Sequence, residues 1–96
     1  MKESVFQKKL INRLESEFEG CLVFKNDPNY RQGICDLLVL YNDRWAALEV
    51  KRSSKASHQP NQEYYVDRLD KMSFAAFVYP ENEEIIFDGL RKAFRA

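Results

Sequence analysis

The chain holds one histidine, His58, and two cysteines, Cys21 and Cys35. A structural zinc site needs about four thiolate or imidazole ligands at set spacing, so none is expected. Two cysteines are too few for a disulfide framework. Both lie in apolar runs and read as reduced, buried thiols. A lone histidine argues against a Ser–His or Cys–His nucleophile. No apolar run approaches the ~20 residues that cross a bilayer, so no membrane segment is expected. The opening MKESVFQKKL has no apolar stretch of the kind a secretory signal carries, so a cytoplasmic protein is expected. Net charge is absent as well: fifteen Lys and Arg balance fifteen Asp and Glu. A basic coat for nucleic acid is therefore excluded, and a polyanion must be held by a local patch. Repeats, low-complexity stretches and linkers are missing too.

What is present suits a globular fold, with 45% apolar and 31% charged residues. Ninety-six residues predict one domain, 1–96. A chain of this length buries roughly 60–65% of its unfolded surface, so its core is modest. Seven Phe, five Tyr and one Trp can fill that core or seal a subunit interface. A two-fold homodimer is the expectation, since that is the commonest closed symmetry.

Phe6, Leu10, Leu14 and Phe18 recur every four residues with Ile11 beside them, which predicts an amphipathic helix over 4–18. Ser4 followed by Gln7 has the form of a capping box, and Gly20 marks the stop. Cys21 to Phe24 reads as a strand, and residues 25–33 as a polar loop. Ile34 to Tyr41 and Trp45 to Lys51 read as two strands joined at Asn42-Asp43 in a hairpin. Arg52 to Gln59 is a basic, polar loop. Pro60 opens a helix that runs to about Met72. Phe74 to Tyr79 is a fourth strand ended by Pro80. Glu83 to Phe94 is a last helix, acidic early and basic late, as the helix dipole favours. The order is α-β-β-β-α-β-α. It predicts a mixed four-stranded sheet flanked by helices, with the third and fourth strands parallel through a right-handed crossover.

Some charges sit where the apolar pattern leaves no place for them. Along the third strand Glu49 and Lys51 point one way, while Leu48 and Val50 point into the apolar layer. Two-residue hairpin pairing sets Asp36 opposite Glu49, as it sets Leu40 opposite Trp45. Opposed carboxylates repel in a sheet, so something must compensate. Lys51 is one candidate and a divalent cation such as Mg²⁺ is the other. Glu3 falls in the middle of the stripe of the first helix, in line to approach the same acids. An ion-paired cluster at a sheet end and a solvated Glu3 are the plainer readings of the same residues.

Gly33-Ile34-Cys35-Asp36, twelve residues, then Glu49-Val50-Lys51 resembles the PD-(D/E)XK nucleases. The αβββαβ(α) order is similar to that superfamily's restriction-endonuclease-like core. The glycine ahead of Asp36 and Gln62-x-x-Tyr65 on the following helix look most like the VRR-NUC and Holliday-junction-resolvase-like branch, including small stand-alone phage-type nucleases. Cys35 stands where the pattern usually has Pro. The resemblance spans about Glu3 to Phe94. It implies Asp36 and Glu49 as central metal ligands, the Val50 carbonyl as another, and Glu3 as an acid toward a second metal. It implies Lys51 orienting the attacking water and Gln62 facing the site. The implied cofactor is Mg²⁺ or Mn²⁺, with no small-molecule cofactor. The implied reaction is hydrolysis of DNA phosphodiesters, typically leaving a 5′-phosphate. A homodimer acting on branched DNA such as Holliday junctions, in a prokaryotic or phage-infected cell, is the leading expectation. The alternatives are a flap, nicking or restriction-like nuclease that needs a partner, and a non-catalytic DNA-binding module on the same fold.

For holding DNA, residues 51–58 carry three formal positive charges and no acid. Arg52, Lys55 and His58 lie on that loop, and Lys25 and Arg31 flank the loop before Asp36. Such groups suit phosphate contacts, with a solvated basic loop as the plainer reading. Tyr64 and Tyr65 follow Gln62. At least one of them is expected to pack in the core or a dimer, and stacking on bases is the other option.

Overall fold

The computed structural model describes residues 1–95. The stripe of Phe6, Leu10 and Leu14 forms the buried side of α1 (Glu3–Glu17). The predicted Ser4 cap is not used. The cap lies two residues earlier, with Lys2 as N-cap and no side-chain capping bond. Glu3 thereby becomes the first helical residue, where a negative charge suits the dipole.

Strands β1 (Leu22–Lys25), β2 (Leu37–Tyr41) and β3 (Arg44–Val50) form an antiparallel meander, and β4 (Phe74–Val78) adds parallel to β3. The sheet order is β1-β2-β3-β4. Leu40 pairs with Trp45 and Leu37 with Leu48, which is the expected hairpin register. The turn works because Asn42 adopts φ 56°, a left-handed conformation that asparagine tolerates.

Strand β2 starts three residues later than Ile34, the expected start. Asp36 donates nothing to a ladder there. Its carbonyl accepts the Asn26 N–H at 2.8 Å, and its carboxylate accepts the Val50 N–H at 2.8 Å. Side-chain bonds of this kind compete with strand pairing. Strand β1 likewise lies one residue later than expected, because the Cys21 N–H is spent on the Phe18 carbonyl. Past Val78, the Tyr79 N–H bonds to Asn82 Oδ1 and the chain makes a 3₁₀ turn over Pro80–Asn82.

Helix α2 (Pro60–Met72) makes the crossover, and α3 (Glu83–Phe94) closes the fold. Helices α1 and α3 share one face of the sheet. Phe6, Leu10, Leu14, Phe87, Leu90 and Phe94 pack there on Leu37, Val39, Leu48, Val50 and Val78. Arg13 ties the two helices, reaching Glu83 at 2.5 Å and Glu84 at 2.7 Å while its guanidinium lies over the Phe87 ring. Helix α2 covers only the β3–β4 half of the other face, with Val66 and Leu69 against Cys35, Ala47 and Ala75. On the uncovered half, Leu22 and Phe24 of β1 remain 56% and 50% exposed. Among the described residues no helix is long and apolar enough to cross a membrane.

Candidate functional site

The covered part of that second face ends in charge. Leu48 and Val50 leave β3 toward the large core and are fully buried. Alternation then turns Glu49 and Lys51 toward α2. They are the buried charged residues, at 3% and 7% exposure.

Gln62 from α2 satisfies both. Lys51 Nζ donates to Gln62 Oε1 at 2.8 Å, and Gln62 Nε2 donates to Glu49 Oε2 at 3.1 Å. Lys51 itself stands 4.0 Å from Glu49. Gln62 is held in turn by α2's own start. The Gln59 N–H donates to Gln62 Oε1 at 3.0 Å, and the Gln62 N–H donates to the Gln59 carbonyl at 3.0 Å. The bond from the Gln59 N–H, together with those to Lys51 and Glu49, holds the Gln62 side chain in place.

Asp36 reaches the group from the end of β2. The Val50 N–H fixes one carboxylate oxygen, and Asn26 fixes the backbone on either side through the Cys35 and Asp36 carbonyls. Glu49 therefore faces a second carboxylate from inside the protein. Its carboxyl is pushed up to about 8, by burial first and the Asp36 charge next, with Lys51 pulling the other way. Glu3, exposed on the first turn of α1, adds to the same negative potential from a distance.

A buried Glu49 facing the half-buried Asp36, with one amide-held lysine, suits a hard divalent cation, which prefers carboxylate, carbonyl and water oxygen. Soft competition is absent at this point. Burial, then the Glu49 and Asp36 charges, push the Cys35 thiol up to about 12, so it stays protonated. Among the described residues no three side chains of His, Cys, Asp or Glu converge into a metal cluster. The oxygen set is thus the Asp36 and Glu49 pair, open to water and substrate oxygens.

The structure brings together Asp36, Glu49, Lys51 and Gln62, all four singled out in the sequence. Lys25, Arg31, Arg52 and Lys55 are exposed. His58 is half-buried. Its ring stacks on Phe77 at 3.8 Å, with Nδ1 3.6 Å from Glu63. The loop from Arg52 to Gln59 is pinned by an acid that the sequence reading passed over. Glu81 Oε1 accepts the Ser54 N–H and Oε2 accepts the Ser54 hydroxyl, both at 3.2 Å. Tyr64 is 56% exposed, outside any core. Tyr65 is half-buried and its hydroxyl accepts from Arg31 at 3.2 Å. Asn26, Gln59 and Glu81 are the supporting residues missed. Only Gln59, three before Gln62 at a helix start, left a readable signal.

No protein-family model matches the sequence, and no curated protein does either. Among solved structures, the chain is similar to one described as a VRR_NUC domain. The two are 28% identical, the match covers 97% of each chain, and the TM-score is 0.71. That likeness supports the VRR-NUC family and its restriction-endonuclease-like fold, a four-stranded mixed sheet flanked by helices.

Proposed function

We propose that this chain, which shares the VRR_NUC fold over nearly its whole length, is a nuclease of that family working as one domain, 1–96. Its reaction is divalent-metal-dependent hydrolysis of DNA phosphodiester bonds, on branched DNA and as a homodimer. The observation that carries this reading is Glu49. A carboxylate at 3% exposure, facing Asp36 and bonded to Gln62, is costly in a protein with no use for it.

Asp36 and Glu49 would hold Mg²⁺ or Mn²⁺, with the Val50 carbonyl as a further ligand and Glu3 as an acid toward a second metal. The cation supplies charge neutralisation at the phosphate and a more acidic water. The chain's own residues do the rest. Lys51 places a fixed positive charge where negative charge develops on the scissile phosphate, and orients the attacking water. Gln62 keeps the Lys51 ammonium from collapsing onto Glu49, since it accepts from one and donates to the other. Water oxygen bonds to phosphorus, the bond to the 3′-oxygen breaks, and a 5′-phosphate and a 3′-hydroxyl remain. Lys25, Arg31, Arg52 and Lys55, all exposed, give the backbone of the substrate its contacts. His58, stacked on Phe77, borders them.

Support for a dimer is the half of the sheet that α2 leaves bare, where Leu22 and Phe24 stay exposed. Support for branched substrates is that two such sites on one two-fold axis suit paired incisions.

The test is a cleavage panel of duplex, single strand, flap and four-way junction, with Mg²⁺ or Mn²⁺. Cleavage is expected, and Asp36→Asn or Glu49→Gln lowers kcat at least on the order of 100-fold. Mn²⁺ raises the melting temperature of the parent and not of the variants. A panel left uncut, or cleavage that survives both substitutions, overturns the reading.

A further inference from the structure

Beside the acidic pair lies a cavity of about 300 Å³ that the reaction described above does not use. It opens between the loop before Asp36 and the first turn of α2. Its walls are Pro28 and Pro60, and its polar lining is Gln32, Gln59, Asn61 and Gln62. Gly33 forms its back wall and could not be larger. With φ +90°, a Cβ there would lie 2.3 Å from the Asn61 Cβ. The loop and the helix are therefore in backbone contact, and the hollow is a built feature of their junction.

The lining carries no charge. An anion is a poor occupant for a second reason. The helix start that would offer N–H groups is already closed on itself, because the Gln62 and Glu63 N–H groups donate to the Gln59 carbonyl and Pro60 has no N–H. What remains is two apolar proline rings and side-chain amides, each with a donor and an acceptor. The Gln62 amide is committed to the Gln59 N–H, to Lys51 and to Glu49. Gln32 and Asn61, both exposed, supply the rest. Paired amide donors and acceptors between apolar walls match the edge of a nucleobase. The size is at the small end for ligand pockets, room for one planar heterocycle and not for a base pair.

The geometry points to a docking pocket for a single unpaired nucleobase, with Gln32 and Asn61 reading its hydrogen-bonding edge. The inference rests on the nuclease reading, because Gln62 is both a wall of this pocket and the partner of Glu49 and Lys51. A base seated there belongs to a nucleotide next to the scissile phosphate. Only a strand that can turn a base outward, at a junction, flap or single-stranded stretch, can fill it. The pocket thus makes the same site selective for unpaired strands without reading sequence along a groove.

Two arms test this. In the first, Glu49→Gln protein binds four-way junction DNA carrying 2-aminopurine singly at each position around the cleaved bond. One position is expected to change fluorescence severalfold, and adding Gln32→Ala and Asn61→Ala removes that change. Both substitutions keep the Cβ that Gly33 touches in the case of Asn61, and both residues are exposed, so folding is spared. In the second arm the parent protein cleaves the same junction with an abasic residue at each position. One abasic position is expected to lower kcat/KM roughly tenfold, in line with the loss of one hydrogen-bonded base edge. The doubly substituted protein shows no such penalty. Efficient cleavage with no abasic penalty, or a fluorescence change that persists in the variant, overturns the pocket and leaves the nuclease reading standing. Failure to cleave any substrate overturns both.

Discussion

Glu49 is the residue on which the site's energetics turn. In the unfolded chain its carboxyl loses a proton in the ordinary range near 4.5, while in the fold it does so at about 8. Between those values the folded protein holds a proton that the unfolded chain has released. Stability therefore falls as pH rises through that window and levels off above it. Without divalent cation, in chelator, the melting temperature is expected to drop between pH 5 and pH 8. Glu49→Gln should flatten that slope, and parallel slopes in parent and variant would assign the effect elsewhere. Much of this was legible beforehand. The two-residue turn sets Asp36 opposite Glu49 by counting alone, and strand alternation puts Lys51 on the same side. The double role of Gln62 was not legible, because it depends on how far α2 leans over β3. Asn26 left no signal, since a turn asparagine that holds two carbonyls reads like any other turn asparagine.

Among the elements, the contact of the 26–34 loop with α2 is the most demanding. Gly33 there has both a left-handed φ and no room for a side chain. Gly33→Ala is expected to cost roughly 2 kcal/mol, from backbone strain plus the clash with Asn61. It should also lower cleavage, because Asp36 and Gln62 sit on the two parts forced asunder. Urea unfolding checks the first effect and the cleavage panel the second. A stable, fully active variant would show that the loop can move away freely. Helices were the easiest elements to place. The bounds of α2 and α3 follow from Pro60, the apolar period and the charge order, and the structure keeps them. Helix α1 was placed by its stripe but not by its cap, for Ser4-x-x-Gln7 is a pattern the chain does not use. Apolar Ile34 and Cys35 look strand-like in the sequence but lie outside β2. Asn26 and the Asp36 carboxylate take the hydrogen bonds that a ladder needs.

For the whole molecule, the uneven cover of the sheet matters most. Two helices fill one face, one helix fills half of the other, and β1 carries Leu22 and Phe24 into solvent beside that gap. A second copy meeting this face would bury them. Sedimentation equilibrium is expected to show a dimer, and Phe24→Lys should weaken it by tenfold or more, about 1.4 kcal/mol, without changing the fold of the monomer. A parent that sediments as a monomer at high concentration would remove this arrangement. Nothing in the sequence marked that face, because an exposed Phe on an edge strand looks like a buried one until the helices are placed. Val50 joins the two sides of the sheet: its side chain is fully buried among the core residues, and its N–H is what steadies Asp36. The proposed reaction centre accordingly has no private softness. On gradual warming, catalytic competence and cooperative melting should be lost together, with no interval in which a folded but idle enzyme accumulates.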